Sequence, residues 1–242
     1  MKSKFILISV LFFGSLFSAL AAPKEEAIRG VYFRTIGVGV NEKEFLYQDG
    51  AKAKPFSIDT ERRSPFYEYK GGSAPLVFLK ELTAPDGVKI SLPVADVTLP
   101  PSVSRVLLIL FRQPGEGDKL SVVAMADSAK AVPPGGYRFV NFLPVQAGVI
   151  LGGQKQIILP RDSYICEAPV GKDREASVYP FKIYIIKGES AIPVYSNVWS
   201  VDVRKRNLVL MIYSPTSPSG VEVKYLSESV NAIPTDEPEA KP

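Results

Sequence analysis

Leu120-Ser-Val-Val-Ala-Met-Ala-Asp-Ser-Ala-Lys-Ala-Val-Pro133 lies without a gap over Val221-Glu-Val-Lys-Tyr-Leu-Ser-Glu-Ser-Val-Asn-Ala-Ile-Pro234, 101 residues further on. Val122, Ser128, Ala131 and Pro133 recur identically, and four other pairs (Leu/Val, Met/Leu, Asp/Glu and Val/Ile) keep their chemistry. Each copy opens on apolar residues in short alternation, the period of a half-buried strand, and closes on a proline that ends it. One strand-forming pattern, used twice, predicts a β-fold built by tandem duplication.

Working outward, further pairs repeat at nearly the same spacing. Phe33-Arg34-Thr35 matches Phe139-Val140-Asn141 at 106, the Asp49-Gly50 turn matches Gly152-Gly153 at 103, and Pro75 to Lys80 matches Pro180 to Ile185 at 105. Val106 to Phe111 matches Leu208 to Tyr213 at 102. The Asp-Gly and Gly-Gly dipeptides accept the positive φ of a two-residue hairpin turn. The 21 prolines scattered along the chain argue against long helices. Alternation continues late in the chain, where Trp199, Val201 and Val203 are expected on one strand face and Phe181, Ile183 and Ile185 on another. The expected fold class is all-β, two tandem β-sandwich domains of seven or eight short strands each. The units are placed at 25–134 and 135–234, joined by Pro133-Pro134-Gly135-Gly136.

The ends of the chain read differently. Lys2 and Lys4 precede an apolar run from Phe5 to Phe17, then Ala19 and Ala21 satisfy the small-residue rule for cleavage. Residues 1–21 are therefore expected to be a secretory signal, too short in its apolar run to span a bilayer. No transmembrane segment is expected in the mature chain, which is placed in a periplasm-like space or outside the cell. Residues 235–242 are polar and proline-rich and are expected to be disordered.

Charge and cysteine usage narrow the classes of function. The sequence pI is near 9.0, but removing the two signal lysines leaves 27 bases against 25 acids. The excess is spread evenly over the two units, so the basic footprint of a nucleic-acid binder is missing. Cys166 is the sole cysteine; it permits no intramolecular disulfide and reads as a small buried hydrophobe rather than a reactive thiol.

The chain contains no histidine. Histidine-activated serine or cysteine nucleophiles and histidine-ligated zinc are thereby excluded, and a single thiol excludes thiolate-rich metal sites. No cofactor, metal site or catalytic residue is assigned. The surviving routes are weak: carboxylate pairs such as Asp59 with Glu61 or Asp162 with Glu167 for glycoside hydrolysis, Ser128 beside Lys130, and the turn at Glu116-Gly117-Asp118. Serine with lysine reads more simply as a strand end, and the acidic turn lacks the ligand spacing of a calcium loop.

Two stretches are candidates for ligand binding. Phe66, Tyr67 and Tyr69 cluster in a proline-flanked segment and offer rings on which a sugar or partner could stack. Arg204, Lys205 and Arg206 form the densest basic cluster, read as the cap of a hairpin or as a contact for an anionic surface or glycan.

Tyr137-Arg-Phe-Val-Asn141, followed by a strand, Gly152-Gly153 and a second strand, resembles the opening of small secreted bacterial immunoglobulin-like domains of unassigned function. The likeness extends over about 25 residues of the second unit and more faintly over Tyr32 to Ile58. It implies an immunoglobulin-like sandwich and supplies no catalytic residues. The leading expectation is a non-catalytic exported module that binds a partner protein or sits in an envelope assembly. The alternatives are a carbohydrate-binding module using exposed aromatics and a carboxylate-dependent hydrolase.

Overall fold

The structure is a computed structural model that describes residues 30–40, 42, 44–72, 74–113, 115–167 and 177–230. The expected signal and C-terminal tail lie outside the described residues. The first unit comprises β1 (Val31–Val38), β2 (Glu44–Asp49), β3 (Lys52–Ser57), β4 (Tyr67–Tyr69), β5 (Leu76–Thr83), β6 (Lys89–Val97), β7 (Arg105–Arg112) and β8 (Leu120–Ala126). The second comprises β9 (Tyr137–Asn141), β10 (Gln146–Leu151), β11 (Gln154–Ile158), β12 (Ser163–Cys166), β13 (Ser177–Lys187), β14 (Ser190–Val201), β15 (Lys205–Tyr213) and β16 (Val221–Ser229).

Each unit folds into two four-stranded sheets. Their orders are β3-β2-β5-β6 and β4-β1-β7-β8 in the first unit, and β11-β10-β13-β14 and β12-β9-β15-β16 in the second. The topologies are the same strand for strand, including a parallel first-to-seventh pairing (β1 with β7, β9 with β15) in otherwise antiparallel sheets. Both units also carry a bulge in the fifth strand, after Phe78 and after Ile183. The chain is a tandem pair of β-sandwiches.

Strand pairing fixes the correspondence between the units and adjusts some of the sequence spacings. The spacings of 105 and 101 hold: Phe78 and Ile183 precede the two bulges, and Leu120 and Val221 each sit in their own unit's core. Gly50-Ala51 and Gly152-Gly153 are the turn residues, so that spacing is 102, not 103. Gly50, Gly152 and Gly153 all have positive φ, at 61°, 56° and 87°, the conformation that the turn demands and glycine supplies without strain. For the seventh strand the spacing is 101 rather than 102. Val106 pairs with Ala126 as Asn207 pairs with Ser227, whereas an odd slip would have exchanged the two strand faces. The first strand then aligns at 104 rather than 106, with Phe33 opposite Val106 and Tyr137 opposite Asn207.

Within each unit the sheets enclose an apolar core. Phe33, Tyr47, Phe56, Phe78 and Leu108 fill the first, Tyr137, Phe139, Phe181, Ile183 and Met211 the second. Trp199 is half-buried and stacks on Phe181 with ring centroids 3.7 Å apart, a packing role. Val201 is buried on the same strand, but Val203 falls in the turn beyond it.

A third apolar cluster joins the units. Ile36, Leu107, Ile109, Val140, Leu208, Leu210, Ile212 and Leu226 are buried in it, with Val38, Phe111, Met125 and Phe142 packed alongside. Under the register just given these twelve residues are six equivalent pairs: Ile36 with Val140, Val38 with Phe142, Leu107 with Leu208, Ile109 with Leu210, Phe111 with Ile212, and Met125 with Leu226. The β4-β1-β7-β8 and β12-β9-β15-β16 sheets therefore press together through the same face. Being covered on both sides, β7 and β15 read as continuous apolar runs instead of alternating ones. The connecting Pro133-Pro134-Gly135-Gly136 is itself pinned, with the Gly135 N–H donating to the Lys205 carbonyl at 2.6 Å.

Candidate functional site

Beside that apolar seam, buried between the same two sheets, lies a cluster of arginines and carboxylates. Arg34 projects from β1, Arg105 from β7, and Asp127 follows β8; their equivalents are Arg138 on β9, Arg206 on β15 and Glu228 on β16. Each residue stands on the strand face turned toward the other unit. Arg34, Asp127, Arg138 and Arg206 are all buried.

The bonding crosses the seam. The Arg34 guanidinium donates through Nε to Asp127 and through Nη1 and Nη2 to Glu228, the Nη2 bond measuring 2.6 Å. Arg206 donates through Nε to Glu228 Oε2 at 2.9 Å and through Nη1 to the Asp127 carbonyl at 3.0 Å. Arg206 Nη2 lies 2.9 Å from Glu228 and 3.2 Å from Asp127 carboxylate oxygens, within ion-pairing range but without hydrogen-bond alignment. Arg138 donates to the carbonyls of Ala126 at 2.6 Å and Ala131 at 3.3 Å.

Unit 1 adds an element that unit 2 lacks. The β3–β4 connection spans residues 58–66, whereas β11–β12 takes only 159–162. The longer loop lays Arg63 and Phe66 over the cluster. Arg34 and Arg105 pack on the Phe66 ring, their guanidinium carbons 4.7 and 5.6 Å from its centroid, a cation–π arrangement. The Arg63 side chain is only 8% exposed, its Nη1 is 3.7 Å from Glu228, and its Nε has no hydrogen-bond partner. Arg34, Arg63, Phe66 and Glu228, with Asp59 and Arg62 toward solvent, line a pocket of about 460 Å³.

Five arginines thus surround two carboxylates, and their electrostatics diverge. Burial alone would raise the Glu228 carboxyl, but hydrogen bonds and charge from Arg34, with the charges of Arg63 and Arg206, hold it down at about 2. Arg34 loses hydration on burial yet is raised overall by Glu228 and Asp127. Arg63 is pushed down to about 10 because burial outweighs the pull of Asp127 and Glu228. Arg138 is lowered by burial too. The side-chain hydrogen bonds of the two carboxylates go to Arg34 and Arg206, while Arg63 has only the longer ion pair to Glu228 at 3.7 Å.

The residues singled out in the sequence are divided by the fold. Phe66 and Arg206 come together at this cluster. Tyr67 is half-buried against the first unit's core, its hydroxyl hydrogen-bonded to the Ser57 N–H at 3.0 Å, and it also lines a surface pocket with Glu44 and Glu81, whereas Tyr69 is buried at 2% exposure. Arg204 is exposed and Lys205 half-exposed, both paired with Asp202. These basic residues do not cap a hairpin, because β14 and β15 belong to different sheets. Arg206, expected to be solvated, is the largest fully buried side chain among the described residues.

The other chemical candidates are tied into turns and packing. Asp59 accepts from the Glu61 N–H at 2.8 Å and from Arg62 Nε at 2.8 Å. Ser128 accepts from the Ala131 N–H at 3.1 Å, and Asp118 pairs with Lys80 at 2.7 Å. Cys166 is buried, with its thiol raised by that burial, as a packing cysteine should be. Arg34, Arg63, Arg105, Arg138, Asp127 and Glu228 were not singled out. One signal for them existed: Asp127 and Glu228 recur at 101 with their chemistry kept, and Arg105 and Arg206 recur at the same spacing. No protein-family model and no curated protein matches the chain.

Proposed function

We propose that the chain is a non-catalytic exported module that holds a partner protein on its second unit, along the edge strand β14. The observation that carries this reading is the character of that edge. β14 is the last strand of its sheet and runs for 12 residues. Its sequence, Ser-Ala-Ile-Pro-Val-Tyr-Ser-Asn-Val-Trp-Ser-Val, contains no charged side chain. Free edges are ordinarily blunted by charge, proline or bulges, because unpaired backbone groups invite another strand; β14 carries Pro193 at its bulge but no charge. The equivalent strand β6 carries Lys89 and Asp96.

The adjoining outer face supports the same reading. Val178 on β13 and Val198 on β14 are 62% and 60% exposed on the outer face, apolar side chains beside this edge. Main-chain pairing would supply affinity, and these side chains would select the incoming residues. The experiment is crosslinking capture from the envelope fraction of the source cells. It compares the processed protein with a Ser196→Lys, Val198→Lys double variant, both substitutions lying on the outer face. Loss of the captured partner from the variant is the expected result. Equal capture by both proteins, or none by either, overturns the reading.

A further inference from the structure

We propose that the pocket over Arg63 binds a small oxyanion, a carboxylate or a phosphate group. The inference goes beyond partner binding along β14 and concerns a different part of the molecule. It begins from an imbalance. The duplicated set of Arg34, Arg105 and Asp127 with Arg138, Arg206 and Glu228 already joins the units, and the carboxylates of Glu228 and Asp127 make their short contacts to Arg34 and Arg206. Arg63 belongs to neither copy. The long β3–β4 loop brings it in alone, 92% of its side chain withdrawn from water, with no carboxylate closer than Glu228 at 3.7 Å and with Nε unpartnered.

Burying a guanidinium without a full counter-charge opposes folding, so the interface gains nothing from this arginine as it stands. A ligand reverses the sign. An oxyanion offers several lone pairs to the planar fork of guanidinium donors, the geometry in which arginine recognises carboxylate and phosphate. Arg62, 84% exposed at the mouth, is paired with Asp59, so this pair adds no net charge, and the Phe66 ring forms a wall beside it. Asp59 and Glu228 also line the pocket. Asp59 is neutralised by Arg62 at 2.8 Å, and Glu228 by Arg34 and Arg206.

The test titrates the processed chain by calorimetry and thermal melting at constant ionic strength. Inorganic phosphate, acetate and chloride are compared, for the wild type and for Arg63→Met. Wild type is expected to bind phosphate or acetate saturably, with chloride inert, and whichever of the two binds tighter identifies the anion. Arg63→Met is expected to lose at least about tenfold in affinity, with a melting temperature in buffer holding chloride but no oxyanion ligand equal to or above that of wild type. The proposal is overturned if neither oxyanion binds wild type saturably, if the variant keeps wild-type affinity, or if it melts lower without any oxyanion ligand. The last outcome would make Arg63 a structural strut.

Discussion

Glu228 shows how much one carboxylate can carry when it is shared. Its oxygens accept from Arg34 on the first unit and Arg206 on the second, so its charge is part of the seam between them. Because its carboxyl is held at about 2 in the folded chain, below an ordinary value of 4.5, ionised Glu228 favours the folded state. That contribution is fully present above pH 4.5 and is lost as the pH falls toward 2. Urea titrations at successive pH values should therefore show stability declining across that window, and Glu228→Gln should flatten the decline. The residue could be noticed in the sequence as an acid repeated at 101, but its burial could not. A lone acid at a strand end looks solvated until the opposing sheet is known.

At the scale of the strand, β15 and β7 explain both a success and a misreading. Their apolar content made them legible as strands. Matching them one residue out of step, at 102, reversed the faces and hid the recurrence of Arg105 at Arg206. Alternation normally guards against such a slip, but these strands are covered on both sides and have little alternation left. The long β3–β4 loop was illegible for a different reason: insertions interrupt the repeat, and the repeat was what made the rest readable. Leu210 on β15 faces the other unit and is completely buried. Leu210→Ala should cost about 2–5 kcal/mol in chemical denaturation, as for a residue inside a single core. A loss under about 1 kcal/mol would mean that the seam is loosely packed.

Taken whole, the molecule stacks four sheets in order, and the middle two bury apolar residues against each other as the outer pairs do. Two sandwiches linked by a tether alone would melt independently. Here the two units share twelve apolar residues and a charge cluster across their seam. Scanning calorimetry of the two-unit body should record a single transition whose calorimetric and van't Hoff enthalpies agree. Two resolved transitions would show the units to be energetically separate. Duplication was readable because it is a property of the chain alone. How the copies meet was not, since any of four outer sheet faces could have been the one concealed.

Since the concealed face of each unit is complementary to the equivalent face of the other, nothing in its chemistry specifies that both halves come from one polypeptide. Two chains refolding together could exchange mates, each lending its first half to the other's second, and rebuild the same junction twice in a closed, symmetric pair. What favours self-closure is the brevity of Pro133-Pro134-Gly135-Gly136, which keeps the proper mate at a high effective concentration. The tether thus weights the contest toward closure within one chain over exchange between two.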